Sequence, residues 1–125
     1  MTSLDGVARI GKALSDRTRL RILAALSVRP LCVCEITKLL DAEQPSVSRH
    51  LGILRTAGLV EDRRDGRWVS YRLSEGPERR AARGLLADLR GALASDPALR
   101  RLRRRAGSAH RGPPRRPDAP VLSNG

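Results

Sequence analysis

The chain has 125 residues, enough for one domain with a modest core and too few for two such domains. It contains 25 Lys and Arg residues against 13 Asp and Glu residues, so its formal net charge is +12. This charge makes a polyanion such as nucleic acid the default partner. Phe is absent, with one Trp and one Tyr, which favours small helices packed through aliphatic side chains over a large ligand cavity.

The N-terminal stretch MTSLDGVARIGKALSD has no basic segment followed by an apolar core, so it does not read as a signal peptide. No apolar run approaches the length that spans a bilayer. The sequence therefore predicts a cytoplasmic protein with no membrane partner, in a compartment where thiols stay reduced.

Helical periodicity dominates the first half of the chain. The spacing of Leu4, Val7, Ile10 and Leu14 predicts a first helix. The stretch LSDRTRLRILAALS predicts a second helix, with Ser15 as its N-cap.

A helix–turn–helix is predicted next. Apolar positions at Val33, Ile36 and Leu39 indicate a short helix, and the segment DAEQ interrupts it. Pro45 suits the first position of the following helix, and Gly58 suits its C-terminal stop.

After this point the period changes from helical to alternating. The runs LVEDR and RWVSYRL flank the turn RDGR, and Asp-Gly between two such runs is a strong hairpin signal. A last helix is predicted from Glu78 onward. The order helix, helix, helix–turn–helix, hairpin, helix predicts a mainly α fold with a small β-hairpin, that is, a winged helix–turn–helix.

Composition divides the chain into two parts. Residues 96–125 contain eight Arg, two Asp and five of the eight Pro, with few large apolar side chains. Such a segment cannot bury enough surface to offset the entropy of chain ordering. We therefore predict that residues 1–95 form the folded winged helix–turn–helix domain and that 96–125 form a disordered basic tail.

The second helix of the helix–turn–helix has an outward face that is small and polar, which suits the major groove of DNA. The basic hairpin behind it would reach the DNA backbone or minor groove. We expect DNA contacts from Gln44, Ser46, Ser48, Arg49, His50, Arg63, Arg64 and Arg67. Arg49 is the best candidate for a guanine edge or a phosphate, whereas a packed or capping role is an equal alternative for His50.

Three stretches of the chain resemble the ArsR/SmtB group of bacterial metal-responsive repressors: LSDRTRLRIL, LCVCEI and QPSVSRHLGILRTAGLVEDRRDGRWVSYRL. The resemblance implies a homodimer that binds double-stranded operator DNA when ligand-free and releases it on metal binding. By the same resemblance the first and last helices form the dimer interface. The residues concerned are Leu4, Val7, Gly11, Leu85, Leu86 and Leu89. Their apolar stripes would equally serve a monomer core.

Cys32 and Cys34 are the only cysteines, and LCVC looks like the arsenic-sensing box of this family. Thiolates bind soft, thiophilic ions. The family's arsenic pattern often has an acidic residue where Pro30 stands, and some members have a third cysteine where Thr37 stands. The resemblance implies no permanent cofactor and an inducer such as As(III), Sb(III) or a methylated trivalent arsenical, which needs only two protein thiolates.

The cysteine spacing leaves alternatives open. Side chains two positions apart on a regular helix point roughly 200° from each other, so both sulfurs reach one ion only if the helix is distorted or its first turn has not yet formed. The thiols could instead fill core space or form a redox switch in a repressor of the same fold. A basic nucleic-acid-binding protein without an effector is a further alternative. An enzyme is not expected, because the sequence has no nucleophile–base grouping or phosphate loop.

Overall fold

The computed structural model describes residues 3–108, apart from the side chains of residues 85, 86 and 88–93. The helices are α1 (Leu4–Leu14), α2 (Arg17–Leu26), α3 (Val33–Leu40), α4 (Gln44–Thr56), α5 (Pro77–Leu93) and α6 (Pro97–Ser108). The strands are β1 (Leu31–Cys32), β2 (Val60–Asp65) and β3 (Trp68–Leu73). None of the helices in the described range is long and apolar enough to cross a membrane. The element order confirms the predicted winged helix–turn–helix fold.

The first two helices begin at side-chain caps. The Ser3 hydroxyl accepts a hydrogen bond from the Gly6 amide at 3.0 Å, and the Asp16 carboxylate accepts one from the Arg19 amide at 3.0 Å. Asp16 is therefore the N-cap of α2. The prediction of Ser15 for this role is wrong, because Ser15 ends α1 and a carboxylate is well placed at the positive end of a helix.

The helix–turn–helix consists of α3 and α4, and each of these helices is followed by a residue with positive φ. Asp41 follows α3 with φ 53°, a conformation that Asp tolerates better than most side chains. Gly58 follows α4 with φ 82°, and a Cβ added there would lie 2.8 Å from a side-chain carbon of α5. The predicted glycine stop is confirmed. The apolar stripe of α4 is fully buried at Val47, Leu51 and Leu54.

The wing is the hairpin of β2 and β3. The two strands pair antiparallel from Val60 opposite Leu73 to Asp65 opposite Trp68. The two-residue turn is Gly66-Arg67, one residue later than the Asp-Gly pair, and Gly66 has φ 66°, which glycine adopts readily at the first position of a hairpin turn. The predicted hairpin is confirmed.

A third strand completes the sheet in the order β1-β3-β2. Leu31 pairs with Tyr71 and Cys32 pairs with Ser70, so β1 joins the wing to the residues just before α3. The sequence pattern does not predict this strand, because two residues are too few to show an alternating pattern.

The segment predicted to be a disordered tail contains α6. Its first turn is capped by the Asp96 carboxylate, which accepts from the Leu99 amide at 2.9 Å. Leu102 and Ala106 are buried where α6 packs against α2 and α3. The prediction of disorder is wrong for Pro97–Ser108, because the apolar stripe of this helix finds partners far away in sequence. Residues 109–125 of the predicted tail lie outside the described residues.

The packing of α6 is open to a direct test. We expect Leu102→Ala to lower the free energy of unfolding by about 2–4 kcal/mol, because it leaves a cavity beneath α6. Arg101→Ala, at an exposed position of the same helix, should change it by less than about 0.5 kcal/mol. Chemical denaturation of both variants gives the comparison. Equal effects would mean that α6 does not pack on the domain in solution.

Candidate DNA interface and thiol site

The predicted DNA contacts on α4 lie at its start and on its outer side. Gln44, Ser48 and Arg49 are exposed, and Ser46 is half-buried. Glu43 occupies the N-cap, and within the described residues it forms no side-chain cap. The first-turn amides of α4 therefore remain available to a phosphate, in a position where the helix dipole favours an anion.

The wing presents the other predicted contacts. Arg63 and Arg64 lie on β2 and Arg67 lies in the turn, and all three are exposed. An ion pair that the sequence analysis missed joins Arg55 of α4 to Asp62 of β2 at 3.6 Å. Exposed pairs of this kind add little stability, but this one links the end of α4 directly to the wing.

His50 is the predicted DNA contact that the structure contradicts. It is only 7% exposed, and its Nδ1 lies 3.1 Å from an Arg19 guanidinium nitrogen and 3.8 Å from an Asp16 carboxylate oxygen. Burial lowers the pKa of His50, and the nearby Asp16 opposes that shift. A neutral imidazole accepts the Arg19 hydrogen bond, so His50 has the packed role.

Arg19 is a further residue that the sequence analysis missed. Besides His50, its guanidinium donates to the carbonyl oxygens of Ala13 at 2.8 Å and Lys12 at 3.0 Å. These carbonyls lie in the last turn of α1, where a helix has unpaired acceptors and attracts a cation. Arg19 therefore connects the first helix to α4.

Cys32 and Cys34 meet at the start of α3. Cys32 has extended backbone angles (φ −86°, ψ 166°) and is the N-cap residue, whereas Cys34 lies in the first turn. The two Sγ atoms are 2.7 Å apart, with Cys32 buried and Cys34 exposed. The angular objection from a regular helix does not apply, because only one of the two cysteines is helical.

The contact between the two thiols shifts their pKa values in opposite directions. A hydrogen bond from the Cys32 thiol lowers the pKa of Cys34 to about 6. The same hydrogen bond, together with burial, raises the pKa of Cys32. The pair therefore loses its first proton more readily than an ordinary thiol, and Cys34 is the exposed and more acidic of the two.

Glu35 and Arg29 support this turn. The Glu35 carboxylate accepts from the Cys32 amide at 3.0 Å and pairs with the Arg29 guanidinium at 3.2 Å. Cys32 and Glu35 form a reciprocal capping box at the start of α3. The spacing of a capping residue and a Glu three positions later is the signal in the sequence that would have revealed Glu35.

The sulfurs of Cys32 and Cys34 are the soft donors of this site. Thr37 stands where a third cysteine would complete the set, and its hydroxyl donates to the Cys34 carbonyl at 2.8 Å. Over the part of the chain that the structure describes, no cluster of three or more His, Cys, Asp or Glu residues is placed to hold a metal ion.

The predicted dimer surface lies partly within the described side chains. Leu4 is 85% exposed and Val7 is 53% exposed on α1, and Gly11 is also exposed. These residues lie outside the core, whereas Ile10 and Ala13 of the same helix are buried in it. The side chains of the α5 residues predicted for this interface, Leu85, Leu86 and Leu89, lie outside the described ones.

Comparison with known proteins supplies the family. Residues 16–62 match the description "bacterial regulatory protein, arsR family". An HTH-type transcriptional regulator of Methanocaldococcus jannaschii, described as uncharacterized, is 43% identical over 72 residues, which cover 57% of this chain and 81% of that protein. The chain belongs to the arsR family of bacterial regulatory proteins.

Other relatives of this arsR-family chain have more specific descriptions. An arsenical resistance operon repressor of Escherichia coli is 53% identical over 64 residues, covering 50% of this chain and 55% of the relative. The chain thus spans about half the length of that relative. A homodimeric winged helix–turn–helix DNA-binding domain from Mycobacterium bovis has a TM-score of 0.61 at 33% identity, covering 74% of this chain and 87% of that one. The family resemblance is confirmed, and its members are regulators, not enzymes.

The unequal acidity of the thiols predicts unequal reactivity. We expect iodoacetamide to modify Cys34 before Cys32, because the thiolate is the nucleophile. A pKa lowered to about 6 means that the thiolate fraction, and hence the alkylation rate, rises as pH increases through about 6 and then levels off.

Cys32→Ala removes the hydrogen-bond donor and should shift this midpoint upward, toward the ~8.5 of an ordinary cysteine. Mass spectrometry of alkylation against pH measures both midpoints. An unchanged midpoint in Cys32→Ala would show that the contact between the thiols does not set the acidity of Cys34.

Proposed function

We propose that this arsR-family protein is a transcriptional repressor that binds operator DNA as a homodimer and releases it when a trivalent arsenic or antimony compound binds Cys32 and Cys34. The observation that supports it best is the 2.7 Å contact between the two thiols at the start of the helix that precedes α4. We further propose that it acts in the cytoplasm.

Charge and shape support the DNA-binding part. The chain has a net charge of +12, and the exposed side of α4 combines Ser48 with Arg49 next to the basic wing. A helix with small polar residues and one Arg fits the major groove, where Arg can bind a guanine edge. Exposed arginines of the wing suit the phosphate backbone.

The two cysteine sulfurs support a metalloid inducer that takes two of its ligands from the protein. Thiolate ligands favour soft ions, and the Cys34 thiolate is exposed and available at neutral pH. Arsenite would need a third ligand from water or a small thiol. A methylated trivalent arsenical brings an organic substituent in that place, so two protein thiolates complete its coordination.

The position of the thiols offers a route for induction. Cys32 pairs with Ser70 of the wing, and α3 packs against α4. A ligand that separates the two sulfurs from their present contact displaces the start of α3, and that displacement reaches α4 through α3 and the wing through β1. Induction then follows from the ligand's preference for the displaced arrangement.

A thiol-redox repressor is the second candidate, and the contact between the thiols favours it as well. An exposed cysteine with a lowered pKa beside a second thiol is the arrangement in which oxidation by peroxide produces a disulfide. In that case peroxide releases the DNA and arsenicals do so only weakly.

The inducer prediction can be tested with operator DNA from directly upstream of the gene. We expect the fluorescence anisotropy of the labelled DNA bound to reduced protein to fall at near-stoichiometric arsenite or methylated trivalent arsenical. Cys32→Ser and Cys34→Ser should each keep the DNA bound, because one thiolate remains. Release that neither substitution affects would contradict the assignment of the thiols, and release by peroxide alone would support the redox candidate.

The DNA-contact prediction can be tested with two arginine substitutions. Arg49→Ala should weaken specific operator binding by about 1–3 kcal/mol, as expected for a lost contact to a base edge. Arg101→Ala removes the same charge from an exposed position of α6 and is the matched control. Operator and unrelated DNA are compared at two salt concentrations. Equal losses on both DNAs would contradict a base contact and favour a charge-driven nucleic-acid-binding protein.

A further inference from the structure

Helix α6 packs against α3, the helix that begins at the thiol site, although the family match over residues 16–62 does not include α6. Leu102 and Ala106 anchor its apolar face against α2 and α3. The Arg105 guanidinium donates to the Leu39 carbonyl near the C-terminal end of α3 at 3.2 Å. One end of α3 is therefore hydrogen-bonded to α6.

Arg29 joins α6 to the other end of α3. Its Nε donates to the Ala106 carbonyl at 2.9 Å, in the last turns of α6. A second guanidinium nitrogen donates to the Pro30 carbonyl at 3.2 Å, and the third pairs with the Glu35 carboxylate at 3.2 Å. The side chains of Arg29 and Glu35 are only 19% and 11% exposed, so this pair is better shielded from water than a surface pair.

The chain of contacts ends at the thiol site. Glu35 accepts from the Cys32 amide, and Cys32 is the residue whose extended backbone lets its sulfur meet that of Cys34. Each link suits its position, because a carboxylate is favoured at the start of α3 and a cation at the end of α6. The planar guanidinium can satisfy three acceptors in fixed directions, which Lys cannot do.

We propose that Arg29 is a positioning residue for the thiol site and that α6, through Arg29 and Glu35, sets the affinity of Cys32 and Cys34 for thiophilic ligands. The identity of the thiophilic ligand rests on the proposed function. The positioning of Cys32 is independent of it.

The expected effect follows from preorganisation. With Arg29 in place, Glu35 is held against the Cys32 amide and the two sulfurs are already adjacent. Without Arg29, a ligand must order this turn as it binds, and that cost weakens binding. The groups proposed to face DNA, such as Arg49 and Arg63, belong to α4 and the wing. Operator affinity should therefore respond less than ligand affinity.

The test uses the full chain and Arg29→Gln, which keeps a polar side chain but is shorter and loses both the charge and the guanidinium donors to three acceptors. Arg103→Gln, at an exposed position of α6, is the matched control. Methylated trivalent arsenical binding is followed by its arsenic–thiolate absorbance, and operator binding by anisotropy. Arg29→Gln should weaken the arsenical about tenfold, the size of one charged hydrogen bond, while operator affinity changes less than about twofold.

Two further variants keep the test decisive if Arg29→Gln unfolds. Arg29→Lys retains a cation near Glu35 and should lose part of the affinity. Glu35→Gln removes the partner, so a double-mutant cycle with Arg29→Lys should show non-additive losses. Unchanged arsenical affinity in the folded Arg29 variants, or an equal loss of operator affinity, would overturn the proposal.

Amide hydrogen exchange of residues 31–36 separates this proposal from the proposed function. It should speed up in the Arg29 variants and not in Arg103→Gln, because the Cys32 amide loses its held acceptor. If the unmodified protein binds no arsenical, the proposed function fails, and the exchange rates still decide whether Arg29 positions Cys32. If the exchange rates of residues 31–36 in the Arg29 variants equal those in Arg103→Gln, the proposal that Arg29 positions Cys32 is overturned.

Discussion

Cys32 is the junction on which the site depends. It is the last residue of β1, where it pairs with Ser70 of the wing, and it is also the N-cap of α3. Because its backbone is extended, its side chain does not follow the rotation of ~100° between successive residues of a helix. The Cys32 sulfur therefore meets that of Cys34 in the first turn. Two thiols two positions apart share one site because a strand ends where a helix begins.

The same junction connects the thiol pair to both parts that we propose face DNA. β1 pairs with β3 of the wing, and α3 packs against α4. Close packing leaves little room for a local change to be absorbed. On another side of α4, Arg19 binds both His50 and the carbonyls at the end of α1. Helix α4 is thus held by α3 and by an arginine that also holds the first helix.

Helix α6 shows why composition alone misjudged the C-terminal segment. Its arginines are exposed and dominate the composition, whereas Leu102 and Ala106 on the opposite side are buried. A few small apolar groups in an Arg-rich stretch are a weak local signal of order. Their partners lie far away in sequence, as does Arg29, which binds the Ala106 carbonyl. Tertiary packing supplies the stability that a short isolated helix lacks.

The sequence by itself determined the features whose signals are local. Helical periodicity located the first four helices, Gly58 marked the end of α4, and Asp-Gly marked the turn of the wing. It also placed both cysteines at the start of the helix that precedes α4. Only the tertiary structure decided the strand β1, the burial of His50 and the pairing of Arg29 with Glu35 beside α6. Each of these depends on a partner that folding brings close, and no local period or propensity encodes such a partner.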